Sequence, residues 1–179
     1  LLKKFFFKLI FLVYKFNFNS TLKSFFKIFQ YLNLKKKFFR ATLTNYHNIN
    51  LKRISLFWVI NKFCKKSQNI FLKLDIEGSE YRVFDDIIKL QDKFEGIILE
   101  VHNIDIHIDK LIFFMENINL TLVHVHGNNY GGVDINGDPL VIELTFSKNP
   151  IIKSETVLLP NNLDMPNNKL LPELKLNFK

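Results

Sequence analysis

Titratable side chains follow three apolar segments of this chain, each at the point where the segment ends. Asp75 and Glu77 follow "NIFLKL", Glu100 and His102 close "GIILEVH", and His126 closes "LTLVHVH". Carboxylates are costly to bury in the middle of a strand, whereas at a strand end they can bind a polar ligand, a cation or a proton. Histidine titrates near neutral pH, so His102 or His126 is the predicted general base. These residues predict a binding or catalytic site built from strand ends.

The elements that must position this site alternate between helices and strands. Apolar residues at helical spacing predict helices over 54–66, 79–94 and 104–118, the second capped by Ser79. Short apolar runs predict strands over 71–76, 97–102, 120–126 and 139–146. Strands joined by helices imply parallel pairing, so we expect the first three strands to be adjacent, with their carboxyl ends on one rim. The last two strands have no helix between them and are predicted to pair antiparallel.

Glycine and asparagine complete the predicted rim. Gly78 permits a sharp turn after the first of these strands, and Asn128 and Asn129 open the glycine-rich loop after the third. The two asparagines could equally supply turn geometry, and Asp75 could equally cap the following helix. His124 lies two residues further inside its strand, so we expect a structural role for it.

Metal chemistry is the first alternative for this set of side chains. Our assignment places no metal at the rim, because a pair of histidines alone is weak support for a metal site. The alternative is a metal-dependent hydrolase, whose ligands would be Asp75, Glu77, Glu100, His102 and His126.

Charge divides the chain into two unlike parts. Residues 1–70 hold 15 of the 25 lysines and arginines and no acidic residue, whereas residues 71–179 hold all 17 acidic residues. The basic part carries no nucleic-acid-binding signature, so we expect no nucleic-acid partner. The single cysteine, Cys64, excludes an internal disulfide and fits a reducing compartment, so we expect a cytoplasmic location.

Composition also suggests three regions. Residues 1–50 form a basic, Phe- and Lys-rich lead-in, residues 51–147 the α/β domain, and residues 148–179 a Pro- and Asn-rich tail expected to run over the surface. The apolar run "FFFKLIFLVY" is too short to cross a bilayer, which needs about 20 residues. Weak membrane-surface contact through residues 1–40 is an alternative, and with it a non-catalytic, membrane-associated remnant.

Four stretches in order resemble the FkbM-type methyltransferase family: "FLKLDIEGSEYRVF", "GIILEVHNI", "LVHVHGNNYGG" and "PLVIELTF". The tail segment "LDMPNN" is also similar to a relative's C-terminal segment, so the resemblance covers roughly residues 50–170. It implies an α/β fold with a Rossmann-like methyltransferase sheet, mostly parallel, with a C-terminal antiparallel hairpin. It also implies S-adenosylmethionine as cofactor and O-methyl transfer to a small-molecule hydroxyl acceptor, a sugar or secondary metabolite.

The resemblance further implies roles for individual residues. The catalytic residues would be His102, His126 and Asp75, the cofactor-binding residues Asp75, Glu77 and Gly78, and the substrate-binding residues Glu100, Asn128 and Asn129. Residues 1–74 contain no glycine and no acidic residue. A glycine-rich cofactor turn and a ribose-binding acid therefore cannot lie there. We expect a sheet that is incomplete at its N-terminus, a fragment of a longer enzyme, and little activity from this chain alone.

Overall fold

The computed structural model describes residues 12–13, 42–48, 50–51, 53–64, 69–151 and 159–176. In chain order the elements are β1 (Leu12–Val13), β2 (Thr42–Leu43), β3 (Arg53–Ile54), α1 (Leu56–Phe63), β4 (Ile70–Leu74), α2 (Phe84–Leu90), β5 (Phe94–His102), α3 (Ile104–Asn117), β6 (Thr121–Gly127) and β7 (Val141–Ser147). Short 3₁₀ turns at Glu80–Arg82 and Gln91–Lys93 flank α2. The fold is therefore mixed α/β, as the sequence predicts.

The main sheet has five strands in the order β1-β4-β5-β7-β6, and β2 and β3 form a separate parallel pair. β4 pairs parallel with β5, whereas β1–β4, β5–β7 and β6–β7 are antiparallel. The prediction of a mostly parallel sheet is wrong for the described strands, because β7 inserts between β5 and β6 and makes antiparallel pairs on both sides. For the same reason β6 is not adjacent to β5, although the antiparallel pairing of β6 and β7 is confirmed.

The carboxyl ends of β4, β5 and β6 nevertheless lie on one rim of the sheet. β6 is antiparallel to β7, which is antiparallel to β5, so β6 runs in the same direction as β4 and β5. The predicted strand-end residues therefore share that rim, with β7 between the second and third strands. Below we call it the carboxyl-end rim.

A continuous apolar core holds these strands in place. Alternate residues of β4 are buried, namely Ile70, Leu72 and Leu74, which is the period-two pattern of a strand packed on one face. The rings of Phe84 and Phe114 stack at 4.3 Å between centroids, and so join α2 to α3. Leu43 also belongs to this core, although it precedes the domain start predicted at residue 51.

The predicted helix over 79–94 is interrupted. Glu80–Arg82 forms a 3₁₀ turn, and α2 begins at Phe84. Ser79 makes no side-chain capping bond, so its predicted role as a cap is wrong. The reason is that the Glu80 carboxylate turns back and accepts hydrogen bonds from the turn before it. The third helix, predicted over 104–118, forms over Ile104–Asn117.

The predicted lead-in and its membrane contact lie almost entirely outside the described residues. In the part of the chain that the structure describes, no helix is long and apolar enough to cross a membrane.

Candidate functional site

The turn after β4 is the most constrained part of the carboxyl-end rim. Glu77 and Gly78 both have positive φ, 55° and 90°, and a positive φ is uncommon for a residue other than glycine. A Cβ at position 78 would lie 3.0 Å from Nδ2 of Asn103, so the turn and the end of β5 approach closely there. This tight reversal brings residue 80 back beneath the end of β4.

Glu80 holds this turn together from inside. Its side chain has 0% exposure and accepts hydrogen bonds from the backbone N–H of Ile76 at 2.9 Å and of Gly78 at 3.0 Å. Burial tends to raise the pKa of the Glu80 carboxyl, but contact with His102 and bonds from backbone N–H groups outweigh this and hold the pKa below its ordinary value. Glu80 is therefore a buried, ionised carboxylate.

His102 at the end of β5 lies against this carboxylate. Its Nδ1 is 3.3 Å from Oε1 of Glu80, a close ion pair rather than a well-aligned hydrogen bond. The Glu80 carboxylate raises the pKa of His102, burial opposes this, and Glu100 and Glu77 add to the rise. With Nδ1 committed to Glu80, Nε2 is the ring nitrogen that faces the rim.

Three further carboxylates lie near the His102 ring, and two of them face Nε2. Oε2 of Glu77 lies 3.5 Å from it and Oε1 of Glu100 lies 3.9 Å from it. Asp75, Glu77 and His102 each offer one ligand atom, and these three atoms lie within 4.8 Å of one another. Their exposure differs, since the side chain of His102 is 14% exposed and that of Glu77 is 65% exposed. We call Asp75, Glu77, Glu100 and His102 the rim cluster.

Two neighbouring side chains position the rim cluster. The hydroxyl of Tyr81 donates to the backbone carbonyl of His102 at 2.7 Å, and Nδ2 of Asn128 donates to Oε1 of Glu100 at 2.7 Å. Burial raises the pKa of the Glu100 carboxyl, Asp75 adds to the rise, and the bond from Asn128 opposes it. Burial likewise raises the pKa of Tyr81 well above its ordinary value, so the hydroxyl stays a donor.

His126 lies in a second group of residues across the sheet. Glu143 on β7 is paired with Glu100 on one side and with His126 on the other, so the three stand in a row. Nε2 of His126 lies 2.6 Å from Oε1 of Glu173 and Nδ1 lies 3.5 Å from Oε2 of Glu143. Burial tends to lower the pKa of His126, but Glu173 and Glu143 outweigh it and raise the pKa. Both ring nitrogens therefore face carboxylates.

The C-terminal segment, residues 159–176, accounts for this second group. It has no helix or strand, in agreement with the sequence, but it is docked rather than loose. Buried Asn129 donates to the carbonyls of Asn168, Leu171 and Pro172 at 3.0 to 3.2 Å. His124 contacts Asp164 at 2.8 Å. His126, Asn129 and His124 thus hold the chain's own C-terminal segment.

The predicted site residues therefore separate into two sets. The structure brings together Asp75, Glu77, Glu100, His102 and, through Glu100, Asn128. His126 and Asn129 contact the C-terminal segment, and the N–H of Gly78 is bonded to Glu80.

Sequence reasoning missed Glu80, Tyr81, Glu143 and Glu173. One signal for Glu80 was available, because it precedes the buried Phe84 and Ile87 by four and seven residues. That helical spacing places a charged residue on an apolar face.

Comparison with known families finds a match to the part of the chain that contains the rim cluster. The sequence model of the Methyltransferase FkbM domain matches residues 13–130, a range that includes the whole rim cluster, Glu80 and Asn128. No match was found among curated proteins or among solved structures. The match covers more than half of the chain. It includes the first two resembling stretches and most of the third, whereas the fourth, residues 139–146, lies beyond it. The chain belongs to the FkbM methyltransferase domain family.

Proposed function

We propose that this protein is an S-adenosylmethionine-dependent methyltransferase that methylates a hydroxyl group of a sugar or secondary metabolite, and that the acceptor binds at the rim cluster. Family membership supports methyl transfer in general. The observation that carries the acceptor site is the convergence of Asp75, Glu77 and Glu100 on His102.

A hydroxyl acceptor must lose its proton as its oxygen gains the methyl group, and it must be held in line with the methyl group. We assign activation of the acceptor hydroxyl to His102. Glu80 fixes the ring from the buried side, so Nε2 is presented at the rim without freedom to turn away. Polar groups of a sugar or similar acceptor would find hydrogen-bond partners in Glu100 and Asn128, which are already bonded to each other.

His126, the other predicted base, suits this role less well. Its side chain is 6% exposed, and both ring nitrogens face carboxylates, one of them from the docked C-terminal segment. Because Nε2 of His126 contacts Glu173 at 2.6 Å and little of the ring is exposed, His126 is less accessible to an acceptor than His102, whose side chain is 14% exposed. We propose that it serves to dock the segment.

S-adenosylmethionine supplies the methyl group when it is bound. The described residues can bind the methyl acceptor. They do not provide the glycine-rich turn that commonly binds the cofactor in such folds. The N–H of Gly78 is bonded to Glu80, and residues 1–74 contain neither glycine nor an acidic residue. Contact of Asp75, Glu77 and Gly78 with the cofactor therefore stays a prediction. The helical crossover from β4 to β5 and the antiparallel hairpin support a Rossmann-like arrangement as part of the proposal.

Of the alternative functions, the family match favours a transferase over a hydrolase. The membrane-associated alternative concerns residues 1–40, of which the structure describes 12–13. We keep a small-molecule acceptor, no nucleic-acid partner and a cytoplasmic location as proposals that rest on composition.

The experiment is a methyl-transfer assay with S-adenosylmethionine labelled in its methyl group. The full chain is incubated with millimolar cofactor and a panel of sugars and hydroxylated metabolites, and the products are separated and mapped. The expected result is label attached to an oxygen of at least one acceptor. Label attached to nitrogen or carbon, or no transfer to any hydroxyl compound by folded protein, would contradict the proposal.

A further inference from the structure

The rim cluster and Glu80 bring four carboxylates to one imidazole. Glu80 lies on the Nδ1 side of His102, Glu77 and Glu100 lie on the Nε2 side, and Asp75 lies close to Glu77 and to the ring. Across the described parts of the chain, no lysine or arginine forms an ion pair with any of these carboxylates. A protonated His102 would offset only one of the four negative charges that these carboxylates carry when ionised. Like charges that converge on one point repel one another, and a cation placed among these carboxylates would relieve that repulsion.

We propose that the rim cluster binds a divalent cation of the Mn²⁺ or Mg²⁺ type through Asp75, Glu77 and Nε2 of His102. The three ligand atoms lie within 4.8 Å of one another. Ligand atoms on one such ion lie roughly 3 to 4.4 Å apart, since each bond is about 2.0 to 2.2 Å long. The exposed side chains of Asp75 and Glu77 can close this small difference while His102 stays in place.

The surroundings of His102 match those of a metal-binding histidine. Such a histidine commonly presents its other ring nitrogen to a carboxylate, which fixes the orientation of the ring. Here that carboxylate is Glu80, fully buried and held by the backbone N–H groups of Ile76 and Gly78. Glu80 thus supplies an observation separate from the exposed carboxylates, and it directs Nε2 outward at them.

The donor set also indicates the class of cation. Carboxylate oxygens, which supply two of the three proposed ligands, suit Mg²⁺ and Mn²⁺. The chain's single thiol, Cys64, is buried and is not among the grouped ligand atoms, so a soft-metal thiolate site is not formed here. This assignment departs from the sequence-based one, which placed no metal at the rim.

A cation at this position would draw electron density from a bound hydroxyl oxygen. In that case His102 would activate the acceptor as a ligand of the cation and would not itself accept the proton. The cation site is inferred from the rim cluster itself and does not rest on the methyl-transfer proposal. It can therefore be tested with neither cofactor nor acceptor present.

The test is a titration of the full chain with Mn²⁺, followed by the electron paramagnetic resonance signal of the free ion and by calorimetry. We expect one equivalent to bind. Glu77→Gln and Asp75→Asn should each weaken binding about tenfold or more, a loss typical of altered metal sites. Glu116→Gln, which removes an exposed carboxylate on α3, is the matched control and should leave the affinity unchanged.

Two results would overturn the proposal: no saturable binding of Mn²⁺ by the folded chain, or affinity that survives both Glu77→Gln and Asp75→Asn. Circular dichroism of each variant establishes that it is folded, and the exposure of Glu77 makes misfolding of Glu77→Gln unexpected. A chain that binds Mn²⁺ and fails to transfer methyl groups would refute the proposed function alone.

Discussion

Nδ1 of His102 lies 3.3 Å from Oε1 of Glu80, a carboxylate with no exposed surface. This contact joins the end of β5 to the turn after β4. Because Glu80 also accepts hydrogen bonds from Ile76 and Gly78, one side chain fixes both the turn and the imidazole. The position of the rim cluster therefore depends on a residue that is inaccessible to any ligand.

Glu80→Gln should destabilise the protein. The substituted side chain keeps its shape, but its amide group would face backbone N–H donors and Nδ1 of His102, and a buried unmatched polar group costs about 1 to 3 kcal/mol. The measurement is the free energy of unfolding in urea. Glu77→Gln is the matched control, because that side chain is 65% exposed and its loss should change stability by less than about 0.5 kcal/mol. Equal stability of the two variants would show that Glu80 is not a structural anchor.

Gly78→Ala and Gly137→Ala form a second matched pair. Both glycines have positive φ, 90° and 86°, so alanine costs roughly 1 to 2 kcal/mol at either position. A Cβ at position 137 meets nothing within 4 Å, whereas one at position 78 lies 3.0 Å from Nδ2 of Asn103. We expect Gly78→Ala to lower the melting temperature more than Gly137→Ala. The reverse order would contradict the close approach of the turn to the end of β5.

The pairing of His126 with Glu173 should make the protein less stable as pH rises. The folded-state pKa of His126 is raised above its ordinary value of 6.5, and the facing acidic groups are Glu173, Glu143 and Asp164. The added stability is fully present below pH 6.5 and is lost as pH rises through the raised value. The measurement is the free energy of unfolding of wild type against Glu173→Gln over a series of pH values.

We expect wild type to be more stable than Glu173→Gln by about 1 to 2 kcal/mol at acidic pH, with the gap closing above neutrality. Glu116→Gln on α3 serves as control for the loss of one exposed charge. A gap that widens with rising pH would mean that His126 is neutral in the docked state.

Affinity for S-adenosylmethionine should be weak. Residues 1–74 hold no glycine and no acidic residue, and the N–H of Gly78 is bonded to Glu80. Calorimetry of the full chain should give a dissociation constant in the millimolar range. Micromolar affinity would show that the chain binds the cofactor by contacts other than a glycine-rich turn.

Much of the fold follows from local patterns. The apolar runs and helical spacings locate β4, α3, β5 and β6 to within a few residues, because each has a continuous periodic signal. The order of strands in the sheet does not follow, because it depends on pairing between distant residues. Nothing in the sequence of β7 indicates that it lies between β5 and β6.

In the candidate site, too, local sequence patterns predicted some features, and contacts between distant residues determined the others. Placement of Glu100 and His102 at a strand end was predictable, since residues two apart share a strand face. The burial of Glu80 was harder to predict. An acidic residue near the start of a helix is favourable whether it is buried or exposed, so its position alone does not distinguish the two. The docking of residues 159–176 had no periodic signal, and it accounts for His126 and Asn129, which sequence reasoning assigned to chemistry.

Activation of the acceptor at the rim cluster is tested most directly by comparing methyl transfer by His102→Ala and by His126→Ala at millimolar S-adenosylmethionine. The acceptor is any hydroxyl compound that wild type methylates. His102→Ala should lower turnover by about 10²- to 10⁴-fold, the range expected for loss of the residue that activates the acceptor hydroxyl. His126→Ala should lower the melting temperature, through loss of the docked segment, more than it lowers turnover. If His102→Ala keeps wild-type turnover while His126→Ala loses it, activation of the acceptor at the rim cluster is contradicted.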